Sequence, residues 1–255
     1  MLTARKIGSL TGLASRVIGS ATMAHQDQWQ TALPEAEATL WGISLKVEAA
    51  LIQRKAPLLI ANTCSASLAT LPLVVHHRPK ARILWIDAHG DFNTPATTTS
   101  GYLGGMVLAA ACGLWNSGHG SGLDPKRVIL VGARDIDPDE DELLKESGVL
   151  RLDADIAQIV AEIGDDPVWI HVDWDVLEPG HVPAAYAIPE GLTPAQLRGI
   201  LAALPHSQIA GVELAEFEAS GNPAADNAAI EIIADIVAPL FTEASDHALP
   251  AVQAP

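Results

Sequence analysis

The stretches Ile83-Leu-Trp-Ile-Asp-Ala-His-Gly-Asp91 and Val168-Trp-Ile-His-Val-Asp-Trp-Asp175 decide how this chain folds. Each carries an apolar run of strand character directly into aspartate and histidine. In an extended chain alternate side chains share a face, which sets Asp87, His89 and Asp91 on one side. His171, Asp173 and Asp175 are related in the same way. Open parallel sheets place their ligands at such strand ends. A single Asp-x-His-x-Asp run can be no more than a turn with a capping carboxylate. Two such runs, each after a buried-type strand, point to a shared site. Four carboxylates brought close together resist ionising unless cations sit between them. The pattern predicts a pair of divalent metal ions bridged by carboxylate and water.

Outward from these segments, apolar runs alternate with amphipathic ones from about residue 34, the mark of repeated βα units and a mainly parallel sheet. Strands are expected near Leu58–Asn62, Arg82–Asp87, Arg127–Gly132, Val149–Leu152, Val168–Asp173 and Gln208–Leu214. Helices are expected over Glu35–Gln53, Ser65–Val75, Leu103–Leu114, Asp139–Ser147, Ile156–Ile163, Pro194–Leu204 and Ala225–Phe241. Thr193 before Pro194 reads as an N-cap followed by proline at the first helical position. The first thirty residues are weakly patterned and suggest no strand. Residues 1–245 read as one domain, and the Pro/Ala-rich stretch 246–255 as a disordered tail.

The 255 residues are 49% hydrophobic, enough for a substantial core, and carry a formal charge of −16. With no basic stripe to release counterions, a nucleic-acid partner is excluded. Apolar stretches fall short of a membrane span. Cys64 and Cys112 form no disulfide framework, and no secretory apolar block follows Met1. A soluble cytoplasmic protein is expected.

Four pieces in order carry a resemblance: Asp87-Ala-His-Gly-Asp-Phe-Asn-Thr-Pro-Ala-Thr-Thr-Thr-Ser-Gly101, Val131-Gly-Ala-Arg-Asp-Ile-Asp-Pro138, His171-Val-Asp-Trp-Asp-Val-Leu-Glu-Pro179 and Gly211-Val-Glu-Leu-Ala-Glu-Phe217. The chain resembles the arginase/agmatinase family of ureohydrolases over about residues 58–217. The resemblance implies a three-layer αβα sandwich and a centre of two Mn²⁺ ions that hydrolyses guanidino C–N bonds. It also implies a homo-oligomer, trimeric or hexameric. Asp87 and Asp173 match the bridging carboxylates, Asp91 a ligand of the first metal, and His89 with Asp175 those of the second. Glu216 matches the carboxylate that pairs with the substrate guanidinium, against the plainer reading of a solvated glutamate. Asn93, Ser100 and Asp137 match contacts to an amino-acid head group. Carboxylate oxygens suit Mn²⁺, and paired cations acidify water into a nucleophile.

Three departures qualify the match. Where the family carries a histidine ligand after an early strand, this chain has Cys64 in Ala61-Asn-Thr-Cys-Ser65. The cysteine is either a thiolate ligand or a small buried hydrophobe. A branch resembling Nω-hydroxy-L-arginine amidinohydrolases shares it. Secondly, the family's shuttle histidine is replaced by Gly104, and a neighbouring asparagine by Tyr102. His171 is the candidate replacement acid, against the alternative of a histidine packed in the sheet. Thirdly, Ala184-Ala-Tyr-Ala-Ile-Pro189 replaces a Gly/Thr-rich wall. The expected substrate is arginine or a derivative such as Nω-hydroxy-L-arginine, giving urea or hydroxyurea. Alternatives are agmatine, formiminoglutamate, or a degenerate member that binds metal or partner subunits without turnover.

Overall fold

The structure, a computed structural model, describes residues 2–11, 15–20 and 28–241. The stretch 246–255 therefore lies outside the described residues. Six strands form one sheet: β1 (Leu58–Ile60), β2 (Arg82–Ile86), β3 (Val128–Val131), β4 (Leu150–Leu152), β5 (Val168–Asp173) and β6 (Ile209–Ala215). Their order is β1-β6-β5-β2-β3-β4, and every pairing is parallel. The central strands β2, β3 and β5 are buried on both faces, which explains their unbroken apolar runs.

Strand alternation divides the core into two layers. Ile83, Trp85 and Trp169 pack beneath α2 (Trp29–Ile52), α3 (Ser67–His77) and α4 (Val107–Ala111), with Leu144 of α5 (Pro138–Ser147). Leu84, Ile86, Val168, Ile170 and Val172 face α6 (Ile156–Ile163), α7 (Pro194–Ala202) and α8 (Pro223–Val237). This is the three-layer αβα arrangement.

Local chemistry sets several helix boundaries in the second half of the chain. Thr193 and Gln196 form a reciprocal capping box at α7, while Asp155 and Asn222 cap α6 and α8. Gly148, at φ 73°, closes α5 with a left-handed residue.

Two expectations change, and one unassigned stretch gains an element. The weakly patterned N-terminus holds a helix, α1 (Leu2–Thr11), whose Ile7 is buried in the α8-side layer. α2 starts at Trp29 rather than Glu35, running through Pro34, and Trp29 N–H donates to Gly101 O at 2.8 Å. The expected Leu103–Leu114 helix shortens to a tight turn at Gly104–Met106 and then α4, because consecutive glycines start it poorly.

β2 leads to β3 on one side, whereas β5, its neighbour on the other side, leads away to β6. The loops leaving β2 and β5 thus diverge and open a crevice at their C-terminal ends. Cys64 follows β1, Asp87 follows β2, Asp173 ends β5 and Glu216 follows β6. Arg134, after β3, braces this rim. Its guanidinium donates to the carbonyls of Gly132, Asp175, Val176, Ile188 and Pro189 at 2.8–3.3 Å. Arg134→Ala is expected to lower the unfolding free energy by about 2–4 kcal/mol, because several part-buried carbonyls lose a charged donor together. Chemical denaturation with an unchanged m-value measures it. A midpoint equal to the parent's would refute the brace.

Candidate active site

The aspartates and histidine of the first segment converge through a loop, not a continued strand. β2 ends at Ile86, and His89 N–H donates back to Asp87 Oδ1 at 2.7 Å. Asp91 then turns the chain at φ 49°. Gly90 is required here: a Cβ would sit 2.7 Å from the Glu140 carboxyl, which accepts the Phe92 N–H at 2.7 Å. Asp173 Oδ1 accepts the Asp175 N–H at 2.8 Å, and Asp175 Oδ1 accepts the Ala88 N–H at 3.1 Å. The two loops are laced together by the same carboxylates that face the crevice.

Donor atoms gather in overlapping sets: Asp87, His89 and Asp175; Cys64, Asp173 and Glu216; Cys64, Asp87 and His171, each within 4.8 Å. Asp87, Asp91, Asp173 and Asp175 are all buried. Asp91 Oδ2 is buried with no hydrogen-bond partner, as a carboxylate built to meet a cation would be. The residues present fit a pair of divalent ions.

The electrostatics say the same. Burial, reinforced by neighbouring carboxylates, pushes Asp91 and Asp173 well above the usual aspartate range and Asp175 up to about 6. Burial opposes the charge of His89, but hydrogen bonds to Asp175 (2.9 Å) and Asp87 hold its imidazolium up to about 11. The same pair with His89 overcomes burial to keep Asp87 below the usual range. Protons thus balance charge where cations would otherwise stand. Adding Mn²⁺ to cation-free protein at neutral pH is expected to release about one or more protons per chain, because ligands must deprotonate. Calorimetry in buffers of different ionisation enthalpy reads this. Heats independent of buffer would contradict it.

Cys64 is buried, with Sγ 3.1 Å from Asp173 Oδ2 and 3.2 Å from His171 Nε2. Burial, then Asp173, push its thiol well up. Glu216, at φ 66°, accepts the Cys64 N–H at 2.8 Å and the Tyr102 hydroxyl. Burial raises it to about 7.

His171 is where alternation placed it, on the face of the cluster, packed within the sheet. It is 1% exposed, stacked on Trp85 at 3.6 Å and held at Nδ1 by Glu213 at 3.2 Å. The space at position 104 is taken instead by Tyr102: a Cβ on Gly104 would lie 2.4 Å from its ring. Asn93 is buried with Oδ1 unpartnered, Asp137 accepts the Thr99 hydroxyl at 2.7 Å, and Ser100 is exposed nearby in sequence. Glu213, Ser67 and Tyr186 were not singled out from the sequence. Tyr186 lies 5.2 Å from the Tyr102 ring and 6.3 Å from His89.

The Arginase family model matches residues 9–242. The chain belongs to the arginase family. Members of that family are hydrolases acting on C–N bonds, and so is this protein. It is 46% identical to N(omega)-hydroxy-L-arginine amidinohydrolase of Streptomyces lavendulae over 246 residues, covering 95% of this chain and 90% of that one. The native arginase of Bacillus caldovelox superposes with a TM-score of 0.75 at 25% identity, over 89% of this chain and 83% of that one. Arginase from Bacillus cereus shares the fold, with a TM-score of 0.79 at 21% identity, over 96% and 91%. Among the described residues no helix is long and apolar enough to cross a membrane.

Proposed function

We propose that this chain is a metal-dependent ureohydrolase of arginine derivatives, with Nω-hydroxy-L-arginine preferred over arginine, releasing hydroxyurea and the amine. The observation that carries the preference is Tyr102 filling the space beside Gly104, where a proton-shuttling imidazole would have to stand. The 46% identity to an amidinohydrolase of that substrate supports the same reading.

Cys64, Asp87, Asp91 and Asp173 would hold one divalent ion, and Asp87, His89, Asp173 and Asp175 the other; the second set, without sulfur, suits Mn²⁺. Such a pair, when bound, supplies water acidic enough to attack at neutral pH. The chain's own residues do the rest. Glu216 orients the guanidino group, whose N–H donors replace the Tyr102 hydroxyl on its carboxylate. The Tyr102 phenol, then released, remains an O–H donor beside the reacting group. Asn93 Oδ1 and Asp137 would take the α-ammonium, and Ser100 the α-carboxylate, which agmatine lacks. Tyr186 with Tyr102 limits water at the mouth. We include in this reading a homo-oligomer in a reducing cytoplasm. Two free cysteines and the exposed Trp41, Leu45 and Ile52 of α2 support it.

Product analysis of metal-reconstituted protein tests the proposal. Hydroxyurea from Nω-hydroxy-L-arginine at the highest kcat/KM of a panel with arginine, agmatine and formiminoglutamate supports it. Highest turnover on agmatine, or none on any, overturns it.

A further inference from the structure

The row of side chains under Cys64 has the construction of a metal-ligand support. Trp85, His171 and Glu213 are direct register partners on β2, β5 and β6, so they stand side by side on the α3 face. Glu213 is 1% exposed and accepts from Thr70 Oγ1 at 2.5 Å and Ser67 Oγ at 2.8 Å. A carboxylate facing Nδ1 makes that nitrogen the donor, which leaves Nε2 with its lone pair turned toward the cluster. This carboxylate–histidine pairing is how proteins orient an imidazole for a metal. The ring is further locked by Trp85, parallel within 3°.

We infer that His171 is itself a metal ligand, forming with Cys64 and Asp87 a sulfur–nitrogen–oxygen site that takes a zinc-class cation. The inference rests on the proposed metal centre and adds a ligand to it. Cys64 Sγ and His171 Nε2 lie 3.2 Å apart. Sulfur and nitrogen donors sharing one tetrahedral Zn²⁺ lie about 3.5 Å apart at ordinary bond lengths, so little movement is needed. Asp87 offers an oxygen within 4.8 Å of both. A thiolate with an imidazole favours borderline-soft Zn²⁺ or Co²⁺, whereas a set of oxygens alone favours Mn²⁺. The imidazole absent from position 64 is thereby supplied from β5, two strands away in the sheet.

The test uses the full chain stripped of metal and loaded with one equivalent of Zn²⁺ or Co²⁺. A crystal with anomalous scattering from zinc is expected to place the ion about 2.0–2.1 Å from His171 Nε2 and about 2.3 Å from Cys64 Sγ. In solution, His171→Gln is expected to weaken Zn²⁺ at least about tenfold to a hundredfold while changing Mn²⁺ far less. It should also alter the cobalt ligand-field spectrum, which a purely structural role would leave intact. Zinc seated on the aspartates with Nε2 out of reach, or equal Zn²⁺ affinity in parent and variant, overturns this inference alone. If the parent binds neither Zn²⁺ nor Mn²⁺, the metal-dependent reading falls with it.

Discussion

Asp173→Asn is expected to abolish turnover, by more than about 10³-fold in kcat, and to remove high-affinity cation binding. Asp173 stands between Cys64 on one side and Asp175 on the other, so its loss affects both proposed cation positions at once. Asparagine keeps the acceptor for the Asp175 N–H, so the fold should persist. The cation-free proteins give a second, independent readout. Burial and the neighbouring carboxylates raise the Asp173 pKa well above its unfolded value. The folded parent therefore binds more protons than the unfolded chain, and its stability falls as pH rises from the ordinary aspartate range toward that raised value. The variant lacks this loss, so its cation-free thermal midpoint should hold better toward alkaline pH. Adding Mn²⁺ should lift the parent's midpoint and leave the variant's unmoved. Parent-like metal stoichiometry and turnover in Asp173→Asn would refute the assignment.

The sheet was legible because its central strands are buried on both faces, so Ile83–Ile86 and Val168–Ile170 read as uninterrupted apolar runs. The convergence of Asp87, His89 and Asp91 was also legible, although the cause differs. A left-handed Asp91 and a backbone bond to Asp87 gather them after the strand has ended. Glu213 was not legible as a partner of His171, because the two meet only through the β5–β6 register, 42 positions apart. In the sequence it is one acidic residue among several in Glu213-Leu-Ala-Glu-Phe-Glu218. Tyr102 could be seen to replace an asparagine, but its return over Gly104 depends on a turn that composition does not announce. The start of α2 was missed because Pro34 reads as a helix boundary, whereas Trp29 tethers an earlier start to Gly101.

Nω-hydroxy-L-arginine is expected to exceed arginine in kcat/KM by about 10²-fold or more, the scale of a missing general acid–base catalyst. Both substrates expel the same alkylamine, so the difference lies in the guanidino group that is attacked. At pH 7 the neutral fraction of an arginine side chain is on the order of 10⁻⁶. The resonance-stabilised guanidinium resists addition at its carbon, and a histidine at position 104 would help manage the protons. Here the space holds the Tyr102 ring, and burial, then Glu216, push its phenol well above the ordinary tyrosine range, so it stays protonated and gives up its proton poorly. A hydroxyl on the guanidino nitrogen lowers its basicity, so far more of the substrate arrives neutral. Restoring the histidine tests the cause. Gly104→His alone should fold less stably, because its Cβ would meet the Tyr102 ring at 2.4 Å. Combined with Tyr102→Asn, which vacates that space, Gly104→His should raise kcat/KM for arginine about tenfold or more and narrow the preference. A parent that prefers arginine, or a stable double variant with unchanged selectivity, would show that neither residue governs the choice of substrate.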